Sequence, residues 1–375
     1  MTSCSDTPAE SLRAALTLRC LPGIGDARYR SLVRRHGTPA EAIDHADENE
    51  IGPEALQALR SGRAERRTDA VLRSIRTLRI RVIRDTDAAY PAAILQAAAS
   101  GVLATLREAP VMLFARGDLS LLERRWLAVV GTRRMTEYGE TVAHRFASFL
   151  ARCGEIVASG LARGIDAVAH EAALSAGGTT AAVTGCGLDV AYPPEHARLQ
   201  DRIAERGLLL SGLPPGEPPI KHHFLHRNAI LAALSRGVLV VEAPAGSGAL
   251  STASCVRNLG GEVLAVPGPI GRPTSEGSNA LFRDNGVIVL DESDLIIGFR
   301  LHAEPAPAPV PSPPAPTGVD GLLWNALADD SRHIDELSSA AGLGTGEALA
   351  RLLALELGGS VRQLPGLRFA RVQTG

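Results

Sequence analysis

The chain has 375 residues, of which 45% are apolar and 3% aromatic, and its formal net charge is −2. This length and apolar content predict two or three folded domains with hydrophobic cores. The near-neutral charge excludes a uniformly polycationic nucleic-acid binder, so any such site must be a local patch.

The cysteines are few and scattered: Cys4, Cys20, Cys153, Cys186 and Cys255. None forms a C-x-x-C pair, which disfavours both a disulfide framework and a zinc site. No N-terminal apolar run resembles a signal peptide, and no stretch of about 18 apolar residues is present. We therefore expect a cytoplasmic protein without membrane contact.

Residues 9–84 have a helical pattern and a basic composition, with 15 arginines against 9 acidic residues between Ser11 and Arg84. Leu21–Arg28 contains a Gly-Ile-Gly turn and resembles a helix-hairpin-helix. Such a turn exposes backbone N–H groups to a phosphate. Many such hairpins serve packing alone, so weak contact of residues 21–36 with duplex DNA is one of two open interpretations.

Residues 85–299 alternate short β-branched runs with alanine-rich stretches of helical length. This alternation predicts an α/β domain with a parallel sheet and right-handed crossover helices. The predicted strands are Leu127–Gly131, Ile156–Ser159, Thr180–Thr184, Leu208–Ser211, Val238–Glu242, Val263–Val266 and Val287–Leu290.

The carboxyl ends of these strands are rich in glycine and serine. They read Gly131-Thr132-Arg133, Ser159-Gly160, Gly185-Cys186-Gly187, Ser211-Gly212 and Ala245-Gly246-Ser247-Gly248. Ligands of parallel sheets bind at this edge. Glycine lets backbone N–H groups approach an anion, and helix N-termini favour negative charge. Although glycine is common in any such turn, its repetition here predicts a phosphate-bearing ligand.

The first of these turns lacks the Gly-x-Gly-x-x-Gly fingerprint of dinucleotide enzymes. Arg133 stands where a nicotinamide enzyme keeps glycine, and its guanidinium suits phosphate oxygens. We therefore expect neither NAD nor FAD, and no other cofactor. Lys221 is the only lysine of the chain, and its neighbours Ile220 and His222 exclude a Walker A motif. We therefore do not expect a DNA-dependent ATPase.

The segment around Lys221 combines cations with an aromatic ring. Lys221, Phe224 and Asn228 fall on one face of a predicted helix. A cation, a ring and an amide can hold a phosphate, stack an unpaired base and hydrogen-bond its edge. Core packing is the alternative role for Phe224, but most of its neighbours in sequence are polar. His222 and His226 have i, i+4 spacing, yet no third ligand is near in sequence, so we expect no metal.

Residues 300–318 contain seven prolines, which predict a stiff, extended linker. Residues 319–375 show a helix-turn-helix followed by a hairpin, the pattern of a winged helix. The predicted recognition helix, Thr345–Leu357, offers Arg351 as its single cation beside two glutamates. A protein-interaction or weak accessory role is therefore favoured over duplex recognition.

Six short motifs follow one another in the central block: Val129–Arg133, Ser159–Asp166 with Ala169-His170, Gly187–Asp189 with Tyr192-Pro193, Phe224 with Arg227-Asn228, Ser247–Ala253 and Val266–Gly268. In this order and spacing they resemble the DprA/Smf family of DNA-processing proteins. The resemblance is close over residues 85–295 and looser in the flanking modules. Several motifs in fixed order are far more specific than any one alone.

The resemblance implies an extended Rossmann-like domain that binds single-stranded DNA, with a helix-hairpin-helix or SAM-like domain before it and a winged helix after it. It also implies a non-enzymatic protein, usually a homodimer, that protects strands and loads RecA recombinase during natural transformation or DNA repair. Carried over residue by residue, the DNA-binding residues would be Arg133 with Gly131 and Thr132, then Gly160, Lys221, Phe224, Arg227, Asn228, Ser247 and Gly248.

The sequence departs from the family pattern in two places. The family commonly has Arg-Asn-Arg where this chain has Ala229 as the third residue, so one cation is lost. It commonly has Ser-Glu where this chain has Ser211-Gly212. The first change bears on affinity for DNA, and the second on an acidic wall of the pocket.

Two other functions stay open at this point. Rossmann-like phosphoribohydrolases share a glycine-rich sheet edge, and Pro244–Ser251 supplies such a phosphate turn without their glutamate. Asp166 or Glu242 could then steady a ribosyl cation or activate water. The other alternative is a nucleotide-sensing regulator whose winged helix binds duplex DNA.

Overall fold

The computed structural model describes residues 8–301, 318–327, 331–358 and 360–371. The chain divides into two compact units, Met1–His302 and Ala303–Gly375. Apart from residues 300, 301 and 318, the predicted linker lies outside the described residues. Within these described ranges, no helix is long and apolar enough to cross a lipid bilayer.

The first unit contains fourteen described α-helices and nine strands. Its helices are α1 (Pro8–Arg19), α2 (Asp26–His36), α3 (Pro39–His45), α4 (Glu48–Ile51), α5 (Pro53–Arg60), α6 (Arg63–Thr77), α7 (Ala92–Ala99), α8 (Glu137–Arg152), α9 (Ile165–Ser175), α10 (Ala197–Arg206), α11 (Lys221–Leu234), α12 (Gly248–Asn258), α13 (Pro273–Ala280) and α14 (Glu292–Phe299). Its strands are β1 (Arg81–Arg84), β2 (Met112–Gly117), β3 (Trp126–Val130), β4 (Ile156–Ser159), β5 (Thr179–Val183), β6 (Leu208–Ser211), β7 (Ser235–Val240), β8 (Glu262–Ala265) and β9 (Val287–Ile288).

The nine strands form one sheet in the order β1-β2-β6-β5-β4-β3-β7-β8-β9. Strands β3 to β9 are parallel to one another, whereas β2 is antiparallel to both of its neighbours. All seven predicted strands are present, with ends that differ by up to three residues. Strands β1 and β2 were not predicted, and they extend the sheet on the side of β6.

Helices cover both faces of the sheet, as a parallel sheet requires. On β3, Leu127 and Val129 pack against Phe146 of α8 on one face. Ala128 and Val130 belong to the apolar cluster of the other face, which includes Ile230 of α11. Alternate residues of this strand therefore pack into the apolar clusters on opposite faces of the sheet, and all five residues of the strand are buried.

Helix α11 is anchored by its second half. Every residue from Arg227 to Leu234 is buried, whereas Lys221 and Leu225 are exposed. Burial of each large apolar side chain in that half stabilises the fold by about 1.5–3 kcal/mol. The packed end of the helix thus holds its exposed first turns in a fixed position beside the sheet.

The helices α1–α6 pack onto the sheet and share a core with it. Leu16 and Leu18 of α1 lie in one apolar cluster with Phe114 of β2 and Leu209 of β6. Between α1 and α2 the chain turns through Gly23, whose φ of 74° favours glycine. The turn predicted as a helix-hairpin-helix therefore does join two helices.

The second unit, considered by itself, contains α15 (Gly318–Ala326), α16 (Ile334–Ala341), α17 (Thr345–Leu357) and the strands β10 (Arg332–His333), β11 (Val361–Leu364) and β12 (Arg368–Arg371). The strands pair in the order β10-β12-β11. Leu337 and Leu352 are fully buried with Phe369 in its core. The order of helices and the terminal hairpin are those of a winged helix.

The predicted fold class is confirmed: an α/β protein with a large, mainly parallel sheet, a helical N-terminal region and a C-terminal winged helix. The individual domain limits at residues 84, 299 and 318 stay predictions.

Candidate functional site

The strand order reverses at β3, with β4 to β6 on one side and β7 to β9 on the other. In open α/β sheets ligands bind beyond the carboxyl ends of the strands at such a switch point. The turns that follow β3, β4 and β5 here contribute Arg133, Gly160 and Gly185 to one depression. Two of the candidate residues, Arg133 and Gly160, therefore meet at this edge of the sheet.

This depression, called here the Phe224 groove, is lined by residues of four chain segments. They are Arg133, Gly160, Ala162, Arg163, Thr184, Gly185, Cys186, Tyr192, Pro193 and Phe224. Three of the predicted site residues are among them. Tyr192 and Arg163 were not singled out as binding residues from the sequence, although both lie within motifs that carried the family resemblance.

The ring of Phe224 is half-buried rather than enclosed in the core. The centroid of its ring lies 5.4 Å from that of Tyr192, with the planes inclined by 45°. The guanidinium carbons of Arg133 and Arg227 lie 5.4 and 5.8 Å from the Phe224 ring centroid. These are cation–π distances, so the ring sits among a second ring and two cations.

Glycine is required beneath this ring. A Cβ added at Gly185 would approach Cδ1 of Phe224 to 2.9 Å, which is closer than side-chain contacts allow. The absence of a side chain at Gly185 thus lets the ring of Phe224 approach the turn after β5 closely.

The Arg133 turn is fixed by its backbone. The N–H of Thr132 donates to the carbonyl of Glu242 at 2.7 Å, and the N–H of Ile165 donates to the carbonyl of Thr132 at 3.2 Å. Gly131 packs so closely against Ile165 that a Cβ there would meet Cγ1 of that residue at 2.5 Å. Gly131 and Thr132 therefore form a rigid base, and the side chain of Arg133 is exposed above it.

Arg227 and Asp166 hold the Gly160 turn from opposite sides. The guanidinium of Arg227 donates from Nη1 to the carbonyls of Gly160 and Val183, the latter at 2.9 Å. The carboxylate of Asp166 accepts from the N–H groups of Gly160 at 3.2 Å and Ala162 at 3.3 Å. The N–H and the carbonyl of Gly160 are thus bound by a buried anion and a buried cation, respectively.

Burial sets the electrostatics of this pair. Arg227 is 5% exposed and Asp166 is 6% exposed. Burial raises the pKa of Asp166, while the Arg227 charge opposes that rise. Burial also lowers the pKa of Arg227, with Asp166 acting in the opposite direction. A guanidinium stays protonated even so, so each charge offsets part of the desolvation penalty of the other.

Asn228, Ser247 and Gly248 meet at a neighbouring corner, at the start of α12. The amide Nδ2 of Asn228 donates to the carbonyl of Gly248 at 3.2 Å. The hydroxyl of Ser247 is buried without a hydrogen-bond partner among the described residues. This corner is distinct from the residues that line the Phe224 groove.

Lys221 begins α11, three residues before Phe224, and its side chain is exposed. In the described ranges, the ammonium group of Lys221 has no hydrogen bond and no ion pair. Lys221, Phe224 and Asn228 follow one another at helical spacing, so the predicted shared face is present. Lys221 does not line the groove but lies beside it.

The two departures from the family pattern fall at packed positions. Ala229 is fully buried in the apolar cluster beneath α11. A Cβ at Gly212 would lie 3.1 Å from Cδ1 of Ile230 and 3.2 Å from Cγ of Pro110. In this chain neither position contributes a charged group to the Phe224 groove.

Comparison with known proteins identifies the family. A sequence profile described as DNA recombination-mediator protein A matches residues 81–300, more than half of the chain. The chain belongs to this family. A second profile, described as the DprA winged helix domain, matches residues 305–366, and the DprA/Smf resemblance is thereby confirmed.

Relatives of the DNA recombination-mediator protein A family cover most of the chain. Protein Smf of Escherichia coli (strain K12) is 41% identical over 265 residues, 68% of this chain and 71% of that protein. A relative from Mycobacterium tuberculosis (strain ATCC 25618 / H37Rv) is 38% identical over 343 residues, 89% of this chain and 87% of that protein. The X-ray structure of DNA processing protein A (DprA) from Streptococcus pneumoniae is 32% identical, with a TM-score of 0.60, and covers 79% of this chain and 99% of that one.

Proposed function

We propose that this protein binds single-stranded DNA in the Phe224 groove and delivers the strand to a RecA-type recombinase. The observation that carries the proposal is the half-buried ring of Phe224, with the exposed guanidinium of Arg133 5.4 Å from its centroid. An accessible ring stacks an unpaired base, and an exposed cation beside it neutralises the adjoining phosphate. In a duplex both faces of a base are covered by the neighbouring base pairs, so the groove favours single strands.

Membership of the family supports the same proposal. Its description names a recombination mediator, and the solved relative is described as a DNA processing protein. We propose in addition that delivery to RecA takes place in natural transformation or in repair. We also propose that the protein assembles as a homodimer and is located in the cytoplasm.

We propose further that the groove is not a catalytic site. The two carboxylates considered for an enzyme, Asp166 and Glu242, already accept hydrogen bonds from backbone groups or from a residue that caps a helix. Asp166 accepts from two N–H groups, and Glu242 accepts from the N–H and the hydroxyl of Thr136 at 2.9 and 2.7 Å. A nucleotide hydrolase needs a carboxylate that reaches the ribose, and these two hold the turns around the groove.

The winged helix fits a protein-interaction role better than duplex recognition. Arg351 of α17 is paired with Asp320 at 3.0 Å and with Glu347 at 3.1 Å. These acids neutralise the cation that a phosphate would need. Weak duplex contact by residues 21–36 also stays a prediction. One cation of that segment, Arg28, already donates to the carbonyl of Glu50 at 2.8 Å.

The direct test of the proposed function is to titrate one oligonucleotide as a single strand and as its duplex at several salt concentrations. We expect tighter binding of the single strand, with an affinity that falls as salt rises. Equal or tighter binding of the duplex would contradict the proposal. Release of free base from a nucleotide panel would support the hydrolase instead.

Replacement of Lys221 by glutamine should reduce the salt dependence of single-strand binding. Each phosphate contact contributes roughly 0.7 to the slope of log affinity against log salt for a single strand. We expect the slope to fall by about that amount, with unchanged thermal unfolding because the side chain is exposed. Arg152→Gln is the matched control, since Arg152 ends α8 at the opposite edge of the sheet. Identical slopes for Lys221→Gln and the wild type would exclude Lys221 from the DNA path.

Gly185→Ala should displace the Phe224 ring without removing it. The added Cβ would lie 2.9 Å from Cδ1 of Phe224, so the ring must shift away from the turn after β5. We expect a loss of a few-fold in single-strand affinity, smaller than that of deleting the ring, together with a normal salt slope. Gly346→Ala tests a glycine of α17 that has open space around it and an ordinary φ, and it should leave binding unchanged. Wild-type affinity in Gly185→Ala would mean that the ring position is unimportant.

A further inference from the structure

A second cleft lies on the other side of α11 from the Phe224 groove. It is bordered by the α1–α2 turn, the start of α6, the segment after β6, and three histidines of α11: His222, His223 and His226. At 100° per residue, these histidines face away from Lys221, Phe224 and Asn228. One helix, about 10–12 Å across, therefore separates the cleft from the groove.

Among the arginines and acidic residues that line this cleft, the cations outnumber the anions. Arg19 is paired with Asp26 at 3.3 Å and Arg67 with Glu217 at 3.0 Å. Arg63 lies at the border with an exposed side chain, and among the described residues its Nη2 makes only a long contact of 3.5 Å with the carbonyl of Glu54. One guanidinium is thus left over from the two ion pairs within the cleft.

The histidines can add positive charge, because a bound anion favours protonation of their imidazole rings. The groups that face them are Arg19 and Cys20 at the end of α1, Asp26 of α2, Arg63 and Arg67 of α6, and Glu217 of the loop before α11. Burial lowers the pKa of His226, with Arg19 acting in the same direction and Asp26 against it. Burial likewise lowers the pKa of His223, whose Nδ1 lies 3.1 Å from the carbonyl of Pro218. These two imidazoles are therefore mainly neutral at pH 7, and a bound phosphate would favour their protonation.

The α1–α2 turn forms the opposite wall of the cleft. Gly23 and Gly25 are exposed there, and α2 begins directly after them. Backbone N–H groups at the start of a helix favour an anion. The cleft thus brings together a spare guanidinium, three imidazoles and a helix N-terminus.

We propose that this cleft binds the phosphodiester backbone of the same single strand that occupies the Phe224 groove, as a second contact segment. The strand would cross the first turn of α11, where Lys221 is exposed between the two sites. This inference rests on the proposed function, because the strand is the one held by Phe224. It adds a phosphate site formed by the helical region, so that affinity depends on strand length.

The test is a length series of oligothymidylates from about 4 to about 16 nucleotides, the range of site sizes in single-strand grooves. The double variant Arg63→Gln, His222→Gln changes two exposed side chains of the cleft. We expect it to bind the shortest strand like the wild type and the longest at least several-fold more weakly. Arg66→Gln is the matched control, since Arg66 is exposed on the same helix but does not line the cleft. An equal effect on all lengths, or on none, would overturn the inference.

A second measurement separates the two proposals. A pH titration of the histidine ring signals by NMR, without DNA, gives the pKa of His226. Inorganic phosphate should raise this pKa in the wild type, and less so in the double variant. A raised pKa with no oligonucleotide binding would leave the cleft as a phosphate site and refute the proposed function. Short-strand binding with no response of His226 to phosphate would refute the cleft and leave the groove.

Discussion

Phe224→Ala is expected to weaken single-strand binding by about 1–3 kcal/mol, roughly 5- to 150-fold in Kd, because a stacked base loses its platform. The slope of log affinity against log salt should stay unchanged, since no cation is removed. Unfolding should be affected little, because the ring is half-buried at the end of α11 that is not anchored in the core. Fluorescence anisotropy of a labelled oligonucleotide over a salt series measures both quantities.

Two further substitutions at Phe224 separate stacking from packing. Phe224→Trp keeps an aromatic face and should retain most of the affinity, whereas Phe224→Leu keeps apolar volume without one and should resemble Phe224→Ala. If Leu bound as well as Phe, the residue would act by filling space beside Tyr192, 5.4 Å away. If Ala itself bound like the wild type, base stacking in the groove would be refuted.

The parallel strands could be predicted because they are buried on both faces and appear as continuous apolar runs. Ile156–Ser159 and Leu208–Ser211 were predicted with their observed limits. Strand β1 reads Arg-Val-Ile-Arg, and its pairing with β2 joins residues about 30 positions apart. That pairing depends on how the helical region packs on the sheet, which local periodicity does not encode.

The groove was predictable to the extent that its residues lie in glycine turns. Arg133 and Gly160 follow strand ends, and topology brings such ends together. Tyr192 comes from a long loop after β5, and nothing in its spacing indicates that its ring meets Phe224. The burial of Arg227 was also not predictable, because the same helical spacing suits an exposed arginine and one that donates to carbonyls of another turn.

Arg227→Met is expected to destabilise the fold by about 3–5 kcal/mol, the usual effect of removing one partner of a buried charge pair. The substitution leaves the carbonyls of Gly160 and Val183 without their donor. It also leaves the Asp166 carboxylate buried without the opposing charge. The Gly160 turn should loosen, so single-strand affinity should fall together with stability. Chemical denaturation monitored by circular dichroism gives the free energy of unfolding.

The pH dependence of that variant identifies the buried carboxylate as the cause. The folded-state pKa of Asp166 is raised by burial and held down in part by Arg227, so the substitution should raise it further. A carboxyl whose folded pKa exceeds its unfolded value loses stability as pH rises between the two values. Arg227→Met should therefore recover stability as pH falls towards the ordinary pKa of aspartate, relative to the wild type. Adding Asp166→Asn should cost less than the sum of the two single changes and abolish this recovery. Additive effects, or a pH-independent difference, would show that the two charges do not act as a pair across Gly160.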